Sequence, residues 1–144
     1  MSQTPLVGFH FNVQFHLDAG LVNIGFQDVS GIGVELETES VTEGGENRFT
    51  YKLPVRSSYS NLVLKRAVIT DAALVAWCKA AIEDLDVVPA GVVVSLLNEN
   101  HEPLRNYAFI NAYPLKWNIS NLNAESSNLV IETLELYYQF YRTI

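Results

Sequence analysis

The sequence predicts a mainly β fold, an antiparallel β-barrel or sandwich with one packed α-helix, and three observations carry this reading. Several segments alternate apolar and polar residues with a period of two, which marks half-buried strands. The breaks between them are rich in Gly, Asn, Asp, Ser and Pro, the residues that turns require. Only one stretch, about residues 71–85, carries an apolar stripe at helical spacing. Strands on both sides of a single helix give an antiparallel sheet that packs on that helix. Periodicity does not decide between an open and a closed sheet.

The first strand is long. Val7, Phe9, Phe11, Val13, Phe15 and Leu17 occupy one face, and Gly8, His10, Asn12, Gln14 and His16 the other. Asp18-Ala19-Gly20 supplies a turn, and 22–27 is the returning arm of a hairpin. Gly31 and Gly33 mark a bend or bulge. Beyond it Val34, Leu36 and Thr38 alternate with Glu35, Glu37 and Glu39, so the third strand has one face of carboxylates. Glu43-Gly44-Gly45-Glu46-Asn47 interrupts the pattern, and Phe49, Tyr51 and Leu53 resume it against Arg48, Thr50 and Lys52. Pro54 ends that strand or places it at a sheet edge. Residues 56–60 read as a polar loop and 61–68 as another strand.

The helix follows, with Thr70 or Asp71 placed to cap its first free amides and Leu74, Cys78, Ala81, Ile82 and Leu85 along one stripe. Pro89 and Gly91 close it. The stretches 92–97, 105–111, 115–119 and 129–141 are expected as strands. The whole chain, 1–144, reads as a single domain, a size at which a substantial core can be buried.

Half of the residues are apolar (49%) and only 17% are charged, which fits either a large subunit interface or a monomer with a generous core. A net charge of −7 opposes sequence-independent attraction to nucleic-acid phosphates. The lone Cys78 has no partner for an internal disulfide, which suits a reducing cytosol. No apolar run approaches the ~20 residues of a membrane-spanning helix, and the first ten residues lack the basic start and apolar core of a secretory signal.

Chemistry is thinly represented. His10 and His16 share a strand face but lie roughly 20 Å apart at strand rise, too far to ligate one metal. His101 stands beside Glu99 and Glu102 in a turn, where solvation is the simpler role, and Cys78 falls on the apolar stripe of the helix. Gly31-Ile32-Gly33 lacks the third glycine of a dinucleotide site, no Gly-Lys-Ser/Thr phosphate loop exists, and neither Ser30 nor Ser95 sits in a nucleophile elbow. No catalytic, metal or cofactor residue is therefore assigned, and no enzyme activity is expected. Trp77, Trp117 and the run Tyr137, Tyr138, Phe140, Tyr141 are read as packing residues. Glu132 shares strand parity with Val130, Leu134, Leu136 and Tyr138, so a buried carboxylate is expected there, paired with Lys65, Arg66 or Lys116 at a subunit boundary.

One ordered series of short elements remains: Gly25-Phe26, Val29-Ser30-Gly31, Glu43-Gly44-Gly45, Lys52-Leu53-Pro54, Asn61-Leu62 and Leu64-Lys65-Arg66, continued by Asn111-Ala112-Tyr113-Pro114, Lys116-Trp117 and Ile131-Glu132-Thr133-Leu134-Glu135-Leu136. This series resembles the tail-tube proteins of contractile phage tails and related contractile injection systems, and the resemblance spans most of the chain. It implies a structural subunit whose six-membered rings stack into an inner tube. It also implies as partners a contractile sheath protein, baseplate and tip proteins, and a cargo of protein effector or DNA that passes along the lumen. Assembly in the cytoplasm follows, into a virion or a phage-tail-like particle. A tube initiator or baseplate adaptor, a ring protein of the type VI secretion kind, and a monomeric barrel that binds a ligand among its Trp and Tyr residues are the alternatives.

Two sets of residues are singled out for assembly. Glu43, Gly44, Gly45, Arg48, Phe49, Tyr51, Lys52 and Arg56 combine backbone freedom with aromatic and cationic anchors, as a projecting hairpin that grips a neighbour needs; a free surface hairpin is the plainer alternative. Glu35, Glu37 and Glu39 are the candidates for the lumen, because an acidic strand face belongs in water; an ordinary solvated outer strand is the other reading.

Overall fold

The computed structural model describes residues 10–41, 50–67, 69–120 and 130–144. Strand β1 (His10–Leu17) turns through Asp18-Ala19 into β2 (Gly20–Phe26), with Leu17 opposite Gly20 and Phe11 opposite Phe26. Gly20 closes this tight turn at φ +134, a conformation that strains any residue with a Cβ. β3 (Asp28–Ser30) follows after the single residue Gln27. β4 (Val34–Val41) and β5 (Tyr51–Tyr59) form a separate two-stranded sheet. β6 (Leu62–Ala67), helix α1 (Ala72–Ile82), β7 (Ala90–Leu97), β8 (Pro103–Ile119), β9 (Ile131–Tyr137) and β10 (Phe140–Thr143) complete the order.

The main sheet runs β2-β1-β7-β8-β9-β6-β3, antiparallel at every step, with β10 also on β8. β9 and β10 lie in succession along one edge of β8, since Tyr137 faces Tyr113 and Phe140 faces Ile110. The outermost strands, β2 and β3, are consecutive in the chain with one residue between them. A sheet whose two ends are joined by a single residue must curl until they meet. Two hydrogen bonds seal the meeting: Arg66 Nη1 on β6 donates to the Gly25 carbonyl on β2 at 3.1 Å, and the Gln27 amide donates to the Lys65 carbonyl at 3.0 Å. The curled sheet thus resolves the open-or-closed question in favour of a barrel-like fold.

Inward residues of this sheet form the core. Val13, Phe15, Val22, Ile24, Phe26, Leu62, Leu64, Val92, Val94, Phe109, Leu134 and Leu136 are buried, at the alternate positions expected of strands with one dry face. Helix α1 covers one side. Asp71 is its N-cap, its carboxylate accepting from the Leu74 amide at 3.0 Å. The buried stripe is Leu74, Trp77, Cys78 and Ala81, with Trp77 edge-on to Phe15.

Several expectations are corrected. The helix ends at Ile82 rather than near 85, and Leu85 stands in the left-handed region (φ 56), 84% exposed. Ile82 is exposed as well, so the stripe that packs includes Trp77 and stops at Ala81. Residues 56–59 belong to β5 rather than to a loop, and Pro54 lies inside that strand beside a bulge between Glu37 and Thr38. A two-stranded ribbon has free edges, which is where a residue without an N–H is tolerated. The segments 105–111 and 115–119 are one strand of 17 residues. β8 pairs with β7 as far as Ala112 and with β9 from Tyr113 onward, just beyond Asn111, whose φ is 52 and whose side chain donates to Gln139. The stretch 129–141 is divided by a bend at Tyr138–Gln139 into β9 and β10.

Candidate assembly surfaces

The β4–β5 ribbon grows out of the sealed seam. β3 and β6 pair, with Val29 opposite Leu64 and Ser30 opposite Val63, so β4 leaves and β5 returns at neighbouring strands of the main sheet. At the root, Gly31 has φ +87, and a Cβ there would collide with the Asn61 carbonyl oxygen. Only glycine fits that position. The Ser60 amide reaches the Gly33 carbonyl at 3.4 Å, and Tyr59 packs edge-on to Tyr138 and Tyr141.

Along the ribbon Glu35 faces Ser58, Glu37 faces Arg56, Glu39 faces Leu53 and Val41 faces Tyr51; the other face pairs Val34 with Tyr59, Leu36 with Ser57, Thr38 with Pro54 and Ser40 with Lys52. Every residue of β4 is exposed. Val34, Leu36, Leu53 and Val55 are 54%, 58%, 52% and 51% exposed. A lone two-stranded ribbon is marginal in water, and one that exposes branched aliphatic residues on both faces is built to be covered.

The structure brings Glu35, Glu37 and Glu39 together on one face, as their parity requires, but that face is mixed: Leu53 and Tyr51 share it, and Arg56 Nε sits 3.1 Å from Glu37 Oε2. Both partners of this ion pair are largely exposed, so it contributes at most about 1 kcal/mol. Of the contact candidates, Tyr51, Lys52 and Arg56 lie on β5. Glu43, Gly44, Gly45, Arg48 and Phe49 fall outside the described residues.

Glu132 is 2% exposed. Its Oε2 accepts from the Ile69 amide at 2.6 Å, while Arg66, opposite it in register, turns its guanidinium to the Gly25 and Ala67 carbonyls. The carboxylate therefore holds the chain leaving β6 inside its own subunit. Burial, and then the Glu132 charge, push the Cys78 thiol up to about 12, so it stays protonated. Among the described residues no group of three or more His, Cys, Asp or Glu could hold a metal ion.

A second surface lies on the outward face of the curled sheet. Asn12 stands between Gly25 and Ser95, Gln14 between Asn23 and Val93, and Ser95 opposite Asn106. Asn12 Nδ2 donates to Asn23 Oδ1 at 3.2 Å. Across β1, β2, β7 and the paired first half of β8 this face carries no Asp, Glu, Lys or Arg; Arg142 on β10 is its neighbour at Ala108. In a chain of net charge −7 such neutrality is conspicuous. The even positions of β1 were the signal available for it in the sequence.

A family model described as T4-like virus tail tube protein gp19 matches residues 7–142. No curated protein matches the chain. Among solved structures, a chain of the anti-feeding prophage (AFP) baseplate, determined by cryo-EM and 6-fold symmetrised, is 34% identical over 100% of this chain and 97% of its own, with a TM-score of 0.88. A chain of the sheath-tube complex of an extracellular contractile injection system, PVC, in its extended state is 22% identical over 99% and 93%, with a TM-score of 0.79. Hcp1 from Flavobacterium johnsoniae is 15% identical over 93% and 94%, at a TM-score of 0.63. The last two share the fold.

Proposed function

The chain belongs to the T4-like virus tail tube protein gp19 family, and on that premise we propose that it is a structural subunit of the inner tube of a contractile phage tail or contractile injection system, its copies forming stacked hexameric rings around a channel. The observation that carries this reading is the β4–β5 ribbon, whose Val34, Leu36, Leu53 and Val55 are left more than half exposed among the described residues. A neighbouring copy supplies their cover. The function is mechanical: strand pairing and apolar burial between copies, at roughly 25 cal/mol per Å² removed from water, make a stiff conduit, and no catalytic step is assigned. The subunit assembles in the cytoplasm, and a contractile sheath protein outside, baseplate and tip proteins at the end, and a protein or DNA cargo within are its partners.

Two faces compete for the channel. Glu35, Glu37 and Glu39 would present carboxylates to it from the ribbon; the neutral face of Asn12, Gln14, Asn23, Ser95 and Asn106 would present amides that neither attract nor repel a charged cargo. Single cysteines at Gln14 and at Glu37, labelled in the assembled particle with maleimides too large to enter the channel, separate them. The position that reacts with a small maleimide but not with the large ones lines the lumen, whereas one closed to both is buried between copies.

A second reading is supported by the AFP relative, a chain of a baseplate at 34% identity: this subunit starts the tube at the baseplate rather than repeating along it. Electron microscopy of the purified protein tests both readings. Long tubes with six-fold rings support the tube body, and rings or short stacks that do not elongate support the initiator. A strict monomer at high concentration overturns both and favours a ligand-binding barrel.

A further inference from the structure

The mouth of the β1–β7–β8 sheet carries a pair of histidines that the sequence separates by ninety residues. His10, the first residue of β1, stands opposite Leu97 at the end of β7, next to the turn that leads into β8. His101 lies in that turn, and its Nδ1 is 3.0 Å from His10 Nε2, the rings edge-on with centroids 4.7 Å apart. The turn is firmly built. Asn98 Oδ1 accepts from the amides of Asn100 and Glu102, its own amide donates to the Glu102 carbonyl, and its carbonyl accepts from the His101 amide. His101 itself is left-handed, at φ 62.

We propose that His10 and His101 form a bidentate site for a borderline divalent transition metal such as Zn²⁺, Ni²⁺ or Cu²⁺. A hydrogen bond between two imidazole nitrogens places one lone pair and one proton on the line between them; when that proton passes through solvent to the other nitrogen of its own ring, both rings stay neutral and a metal ion finds two lone-pair ligands side by side. With metal–nitrogen bonds of about 2.0–2.1 Å, nitrogens 3.0 Å apart subtend roughly 94° at the metal, the bite of a square or octahedral ion, and opening them to about 3.4 Å gives the tetrahedral bite of Zn²⁺. Each ring needs only to swing its lone pair off the line between the two nitrogens. Imidazole donors select these metals over Mg²⁺ and Ca²⁺, which take oxygen ligands. Among the described residues no third His, Cys, Asp or Glu completes the set. Water, or a side chain of a second copy, takes the open positions. A bound ion would clamp the start of β1 to the β7–β8 turn, whether or not the chain works in a tube.

Calorimetric titration of the purified full chain with ZnCl₂ at mildly alkaline pH tests the site. His10→Gln removes one ligand; His101→Asn removes the other with a residue that tolerates the left-handed backbone; His16→Gln, on the same strand face but at its far end, is the control. We expect one Zn²⁺ per chain in the wild type and in His16→Gln, affinity weakened about tenfold or more in each of the other two, and no heat with MgCl₂. Absence of Zn²⁺ uptake in the wild type, or uptake that survives either His10→Gln or His101→Asn at full affinity, overturns the proposal.

Discussion

Arg66 Nη1 donates a hydrogen bond to the carbonyl oxygen of Gly25, across the seam where the two ends of the main sheet meet. This bond joins strands 41 residues apart in the chain, and its two residues open and close the stretch that contains the projecting ribbon. Arg66→Met removes this bond and the one from Arg66 Nε to the Ala67 carbonyl and should lower stability by about 1–3 kcal/mol, at roughly 0.5–1.5 kcal/mol for each bond, as read by urea denaturation. Arg66→Lys should recover part of the loss.

Glu132 offers a sharper test. Glu132→Leu removes the acceptor of the buried Ile69 amide and should cost about 1–3 kcal/mol. Glu132→Gln keeps an acceptor oxygen in place and should cost less, with tube or ring assembly unchanged by electron microscopy. Failure of assembly in a stably folded Glu132→Gln protein would return that residue to the subunit boundary.

The ribbon should separate folding from assembly. Leu36→Asp with Leu53→Asp alters side chains that are more than half exposed, so the thermal midpoint of the isolated subunit should hardly move, within about 0.5 kcal/mol. Sedimentation should nevertheless show polymerisation abolished. Charge reversal at Arg48 and Lys52 should weaken it in the same assay.

Gly31→Ala should be among the most damaging small substitutions. It combines φ +87 with a collision against the Asn61 backbone, and a cost of about 1–3 kcal/mol or more in chemical denaturation is expected.

Stability should fall in alkali. The Cys78 thiol and the Tyr138 phenol are both pushed up to about 12, in each case first by burial. In the unfolded chain both ionise at lower pH, so the folded state binds more protons there. Their contribution is complete below the unfolded values and disappears as pH climbs through about 9 towards 12. Denaturation midpoints measured across that range should decline, and Cys78→Ala with Tyr138→Phe should flatten the decline. The folded thiol should also resist alkylation at neutral pH.

Where one face was dry, the sequence was legible. Alternation marks β1 and β2, and the Asp71 cap begins the helix where the carboxylate and the stripe together place it. It was not legible where burial gives no pattern. Residues 56–58 read as a loop because the run Arg56-Ser57-Ser58 has no apolar member to mark a dry face, so a strand and a polar turn look alike. β8 was split because Asn111-Ala112-Tyr113-Pro114 carries break chemistry, and the structure spends that chemistry on a bend within a continuous strand. The buried parity of Glu132 was readable along β9; its partner was not, since Ile69 lies 63 residues away in a connection. The His10–His101 contact was equally hidden, because it depends on the register of three strands.

β8 runs unbroken for 17 residues, hydrogen-bonded to β7 along its first half and to β9 along its second. It joins the part of the sheet built on β7 to the part built on β9 through one uninterrupted backbone. Force applied at one end is carried by covalent backbone to the other, with neighbouring strands loaded in shear rather than peeled open one bond at a time. In the proposed tube, a load along this strand would meet covalent backbone rather than a hinge between the two halves.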